Sequence, residues 1–134
     1  MTLSFDVVGI AVADMSRSLE FYRALGLDLP PDADTSPHVE VVLPNGLRIA
    51  WDTPEVMSSF DPDWSLPTGK GHSLSLAFGC SDAAEVDATY AAMTSAGFVG
   101  HLPPWDADWG QRYASLRDPD GNAVDLFAST AGSG

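Results

Sequence analysis

The chain repeats itself, and that repetition limits its fold more than any other feature. Val7-Val8-Gly9-Ile10-Ala11-Val12-Ala13-Asp14 and Ser75-Leu76-Ala77-Phe78-Gly79-Cys80-Ser81-Asp82 lie 68 residues apart. Each is apolar on alternate positions, as a half-buried strand requires, and each ends on an Asp that can cap a helix. A helical stretch follows in both copies and closes on glycine, at Leu25-Gly26 and Ala96-Gly97. Further on, His38 to Asp52 aligns with Tyr113 to Phe127 at a uniform offset of 75. These segments turn at Asn45-Gly46 and Asp120-Gly121, dipeptides that tolerate the positive φ of a tight hairpin. The chain is therefore two copies of a strand, helix and strands unit.

Local signals place the elements. The first strand is expected at about Phe5 to Val12. Asp14 then caps a helix whose Met15, Leu19, Tyr22 and Leu25 share one face. Pro30 and Pro31 leave room only for a short strand near Leu27–Leu29, and two strands flank Asn45-Gly46. Module one spans about 4–53 and module two about 72–129, within one domain covering 1–134. The linker at about 54–71, with three prolines and two glycines, is too long for a passive turn. Module two opens with a strand at about Ser73 to Cys80. Asp82 and Glu85 form a capping-box pattern, and Val86, Tyr90 and Met93 make the apolar face of its helix. A loop bearing Trp and Pro follows Phe98 and Val99, then two strands around Asp120-Gly121; the small, polar tail from Ser129 is expected to fray.

Strand alternation sorts the side chains into two faces. Val8, Ile10, Val12, Leu74, Leu76 and Phe78 should pack on the helices, as should Val39, Val41, Leu47, Ile49, Trp51, Ala114, Leu116, Val124 and Leu126. The other face carries Val7, Gly9, Ala11, Ser75 and Ala77 together with His38, Glu40, Arg48, Ala50, Asp52, Tyr113, Ser115, Asp125 and Phe127. So polar a set fits a ligand-holding concavity.

Composition narrows the function. At 134 residues the chain suits one compact domain, and it contains neither an 18-residue apolar run nor a basic-then-apolar start. A cytoplasmic location is expected. Cys80, the single cysteine, excludes an intrachain disulfide and reads as apolar filler. A net charge of -13 disfavours nucleic acid and anionic membranes and attracts small cations.

The pattern resembles the vicinal oxygen chelate superfamily, which includes glyoxalase I, extradiol dioxygenases, and fosfomycin and bleomycin resistance proteins. The resemblance is carried by Val8-x-Ile10-x-Val12-x-Asp14, by Ser18-Leu19-x-Phe21-Tyr22-x-x-Leu25-Gly26, by Trp109-Gly110-x-Arg112 and by Asp118-Pro119-Asp120-Gly121-Asn122. It implies an α+β fold of two paired βαβββ modules, forming a curved mixed sheet around a cavity with helices on the outer face, and a homodimer. In metal-dependent members the ligands come from the first and fourth strands of both modules, positions that correspond here to Val7, Ala50, Ser75 and Asp125. One carboxylate does not hold a divalent transition metal, so no metal or other cofactor is expected. A displaced site from His38, Glu40 and Asp125 is an alternative; His72 and His101 fall in the linker end and in a loop. Arg48 and Asp125 are expected to pair and take the place of the ion's charge.

Two further segments share a pattern, Phe60-Asp61-Pro62-Asp63-Trp64 and Trp105-Asp106-Ala107-Asp108-Trp109, each bracketing two acids between rings. Rings and carboxylates together suit a planar or cationic organic ligand, while turn-forming acids and structural Trp residues are the competing reading. The residues expected to contact such a ligand are Arg48, Asp52, Phe60, Trp64, Trp105, Asp106, Asp108, Trp109, Tyr113, Ser115, Asp125 and Phe127. Bleomycin resistance proteins, which these segments resemble in placement, sequester a cationic drug, so metal-independent binding of a small organic molecule is the function expected. The alternative is a lyase, isomerase or dioxygenase using Asp125, His38, Glu40 or Tyr113 as acid–base groups.

Overall fold

The computed structural model describes residues 5–67 and 75–130. The chain divides into two compact units, 1–68 and 69–134. His72, Leu74, the first residues of the strand expected from Ser73, and most of the polar tail lie outside the described residues.

In the first unit, β1 (Val7–Ala11) leads into α1 (Met15–Ala24). Asp14 caps α1, its Oδ1 accepting from the Arg17 amide at 3.1 Å. β2 (His38–Val42) and β3 (Arg48–Asp52) form the hairpin, closed by Gly46 at φ +90°. The sheet order is β1-β3-β2, with β1 parallel and β2 antiparallel to the central strand. Val12, Leu19, Phe21, Tyr22 and Trp51 are fully buried between α1 and this sheet, and the Tyr22 and Trp51 ring centroids lie 5.3 Å apart.

The short strand expected near Leu27–Leu29 does not form. Pro30 and Pro31 cannot donate to a ladder, and Arg23 captures this stretch for α1 instead. Its guanidinium donates to the Leu29 and Pro30 carbonyls and pairs with Asp34 at 2.7 Å, beside a 3-10 turn at Ala33–Thr35. β2 is left at the sheet edge. The expected linker also holds a helix, α2 (Pro54–Phe60), capped by Thr53 with Pro54 in its first turn.

The second unit has the full βαβββ order: β4 (Ser75–Gly79), α3 (Ala83–Ser95), β5 (Val99–Ala107), β6 (Gln111–Arg117) and β7 (Ala123–Ser129). Its sheet runs β4-β7-β6-β5, with β4 parallel to β7 and the other pairs antiparallel. Asp82 and Glu85 cap α3, Asp82 accepting from the Glu85 amide at 2.8 Å and Glu85 from the Ser81 amide at 2.7 Å. Ala114, Leu116, Val124 and Leu126 are buried with Val86 and Met93 of α3.

The segment read as a loop after Val99 is an edge strand. Pro103 and Pro104 are tolerated there because one side of an edge strand makes no ladder bonds, and the register slips between Gly100 and Leu102 and between Leu102 and Trp105. The β6–β7 turn is organised by buried Asp118, which accepts from the Asp120 and Asn122 amides and from Asn122 Nδ2 at 2.8–2.9 Å. No described helix is long and apolar enough to cross a membrane.

Candidate functional site

Strand register sets out the non-helical face of the first unit as three rows. His38, Asp52 and Ala11 are aligned, as are Glu40, Ala50 and Gly9, and then Val42, Arg48 and Val7. Within this grid the His38 ring bridges two carboxylates, with Nδ1 against Asp52 and Nε2 against Glu40 at 3.1 Å. Arg48 Nη1 donates to the far oxygen of Glu40 at 3.2 Å. Acid and base therefore alternate along the chain Asp52, His38, Glu40, Arg48.

The bond to Asp52 raises the His38 pKa above its ordinary value of 6.5, with Glu40 adding to the effect and partial burial opposing it. Both ring nitrogens donate in the imidazolium form, which makes His38 a poor base and a poor metal ligand in this setting. Because the folded pKa is raised, this contribution to stability is fully present below about pH 6.5 and is lost as pH rises through the folded value. His38→Gln should flatten that part of the stability–pH curve, measured by urea unfolding between pH 5 and pH 9. An unchanged slope would mean that the imidazole gains nothing from its acids.

In the second unit three further rows face away from α3. Gly79, Phe127, Tyr113 and Trp105 form the first; Ala77, Asp125, Ser115 and Leu102 the second; Ser75, Ala123, Arg117 and Val99 the third. Asp125 lies at the centre and is satisfied on both oxygens: the Tyr113 hydroxyl donates to Oδ2 at 2.6 Å and the Ser115 hydroxyl to Oδ1 at 2.7 Å. Arg117 Nη1 donates in turn to Ser115 Oγ at 3.1 Å. Burial, reinforced by the bond to Asp125 and its charge, pushes the Tyr113 phenol up to about 12. At neutral pH it is a fixed donor, not a base.

Above Tyr113 stands an aromatic cluster. The rings of Trp105, Trp109 and Tyr113 meet edge to face, with centroids 5.4–6.0 Å apart and interplanar angles of 69–89°. Trp109 is 60% exposed, yet its indole is oriented by a 2.8 Å bond from Nε1 to Gln111 Oε1. Three mutually inclined rings, one of them open to solvent, offer faces to a flat or cationic group.

The acids interspersed with these rings do not all accompany them. Asp106 alternates with Trp105 along β5 and is held by Arg112 at 3.2 Å, while Arg112 also grips Asp87 of α3 through two bonds of 2.9 and 3.3 Å. Period two thus separates a ring and an acid that are neighbours in sequence. Asp108 lies exposed in the β5–β6 turn. In the first unit Phe60 ends α2 with an exposed ring, Trp64 is half-buried, and Asp61 accepts from the Asp63 amide at 3.1 Å as a turn former.

Arg48 and Asp125, expected to pair, lie in different units, and each has local partners: Glu40 for Arg48, and Tyr113 with Ser115 for Asp125. The donor set also does not fit a divalent ion. Val7, Ala50 and Ser75 supply no competent ligand, and both Asp125 oxygens already accept hydroxyl protons. Among the described residues no group of three or more His, Cys, Asp or Glu is placed to hold a metal. His101 is exposed on β5. Burial, with Glu85 and Asp82 nearby, pushes the Cys80 thiol up and disfavours the nucleophilic thiolate.

Known proteins give a consistent picture. The profile of the Glyoxalase/Bleomycin resistance protein/Dioxygenase superfamily matches residues 4–126. In structure the chain is similar to a glyoxalase/bleomycin resistance protein/dioxygenase family enzyme from Burkholderia phytofirmans PsJN, with a TM-score of 0.81 and 17% identity over 95% of this chain and 99% of that one. It is also similar to a glyoxalase/bleomycin resistance protein/dioxygenase from Nocardioides, at TM-score 0.76 and 21% identity over 98% and 87% of the two chains. A superfamily member from Sphaerobacter thermophilus DSM 20745 is 26% identical, with a TM-score of 0.68 over 96% of this chain and 98% of that one. No curated protein matches the sequence.

Proposed function

Given that the chain belongs to the glyoxalase/bleomycin resistance protein/dioxygenase superfamily, we propose that its second unit binds a flat organic molecule, with positive charge favoured, without a metal ion. The observation that carries this reading is the inclined triad of Trp105, Trp109 and Tyr113 over the hydrogen-bonded Asp125. A net charge of -13 concentrates cations near such a surface. Sequestration of an antibiotic is the most concrete form of the proposal, by a homodimer in the cytoplasm. Asp125 then sets the polarity of the floor and need not transfer a proton, since Tyr113 and Ser115 already occupy both its oxygens.

Titration of the Trp fluorescence with a planar tricyclic cation, and with an anion of the same size, tests the proposal. The cation should quench and bind more tightly, and its advantage should shrink as salt rises from low to physiological strength, where charges are screened over roughly 8 Å. Trp105→Ala should weaken it about tenfold, equivalent to roughly 1.4 kcal/mol. Equal affinity in wild type and variant removes the ring cluster from the site. Turnover of a glyoxal adduct or a catechol would favour an enzyme instead.

A further inference from the structure

The chain has 19 acids and 6 bases, so a base without a carboxylate partner is unexpected inside it. Arg23 pairs with Asp34, Arg48 with Glu40, and Arg112 with Asp87 and Asp106. Two described arginines have no carboxylate within ion-pair distance, Arg17 and Arg117; Arg17 is exposed to solvent, whereas Arg117 is only partly exposed. Its Nη1 instead donates to Ser115 Oγ at 3.1 Å and to the Leu116 carbonyl at 3.2 Å. Those two bonds fix one corner of the guanidinium, and its remaining N–H groups meet no acceptor among the described residues.

Position gives this charge a direction. Tyr113, Ser115 and Arg117 alternate along β6 and therefore share the face that carries the rings. The bond to Ser115 draws the guanidinium back along the strand towards Asp125 and Tyr113. The distance from the ring row to the Ser115 row is about 7 Å, two residues of extended chain. Between them the surface is small or polar: Ala77, Asp125 and Ser115 on neighbouring strands, with Leu102 at the edge.

We propose that Arg117 is the anchor for an anionic group on the ligand, a carboxylate or a phosphate, and that the ligand is amphoteric, with a flat, cation-tolerant part on the Trp105, Trp109 and Tyr113 rings and an acid reaching about 7 Å to the guanidinium. This deepens the ring-cluster reading and rests on it. A planar fork matches a carboxylate or phosphate through two parallel bonds. In a chain this acidic, a free acid in solution is repelled from most of the surface, so an arginine with no direct carboxylate partner here selects ligands that carry both groups.

The experiment compares two probes on the unmodified protein: a planar tricyclic cation bearing a four-carbon arm that ends in a carboxylate, and the same molecule as its methyl ester. Affinity is read from Trp quenching. The acid should bind about tenfold or more tightly than the ester, the gain expected of a charge-assisted hydrogen bond. Arg117→Gln should abolish that difference, while Arg117→Lys should keep part of it. Replacing the carboxylate by a phosphate on the same arm distinguishes the two anions. Equal binding of acid and ester to the wild-type protein, or a preference that survives in a folded Arg117→Gln variant, overturns the anchor and leaves the ring cluster standing. Failure of both probes to bind overturns the ring cluster and the anchor together. The acid–ester comparison on wild type is decisive even if Arg117→Gln does not fold.

Discussion

Trp51→Ala is expected to destabilise the protein by about 3–5 kcal/mol, the range for emptying a large aromatic site in a packed core. Trp51 lies on β3, the central strand of the first sheet, and is fully buried. It packs on Tyr22 of α1, which in turn meets Phe21 edge to face at 5.0 Å. The indole therefore joins helix to sheet. Trp51→Phe should cost less than half as much, because it keeps most of the ring and removes an indole N–H that has no hydrogen-bond partner among the described residues. Urea unfolding followed by far-UV circular dichroism measures both. A loss below about 1 kcal/mol for Trp51→Ala, the size of an average substitution, would mean that the first unit does not depend on this contact.

Much of this core is legible in the sequence because burial and strand alternation agree there. Ile10, Val12, Val39, Ile49, Trp51, Ala114, Leu116, Val124 and Leu126 were all expected on the helical face, and all are buried. The departures occur where local signals compete. Leu27–Leu29 alternates apolar and polar residues, but Arg23 offers the carbonyls of Leu29 and Pro30 a partner that a proline-terminated edge strand would lack. α2 has no buried residue and so leaves little apolar periodicity to read. Its signal is the start alone, Thr53-Pro54-Glu55, a cap followed by proline at the first helical position.

The site is legible in part for the same physical reason. Alternation placed Tyr113, Ser115 and Asp125 on one face, and that is where they form their hydrogen bonds. It also separates Trp105 from Asp106, so a motif that looks like a ring with its acid becomes a ring on one face and an ion pair on the other. Pairing of charges was less accessible. Alternation does not reveal which neighbours will reach a carboxylate first, and the hydroxyls of Ser115, directly opposite on β6, and of Tyr113, two residues before it on the same strand, took both oxygens of Asp125. Arg117 carries no motif, being a single arginine on a strand; its distinction, partial burial without a direct acid partner, arises only from the fold.

Asp125→Ala is expected to cost about 2–3 kcal/mol, because it leaves two donors without an acceptor, the Tyr113 phenol and the hydroxyl of Ser115, a buried residue. The measure of that mechanism is the combined variant Asp125→Ala, Tyr113→Phe, Ser115→Ala. Removing the orphaned donors along with their acceptor should recover stability relative to Asp125→Ala, whereas three independent contributions would add. Coupling within such a network should reach at least about 0.5 kcal/mol. Arg48→Ala serves as the contrast: its partner is Glu40, so its effect and that of Asp125→Ala should sum to within about 0.5 kcal/mol. Chemical unfolding of the wild type, the four single variants, the triple variant and the Arg48→Ala, Asp125→Ala double variant decides both points. Strong coupling of Arg48 to Asp125, with additivity inside the Tyr113, Ser115 and Asp125 group, would reverse the assignment and make Asp125 a carboxylate held by charge rather than by hydroxyls.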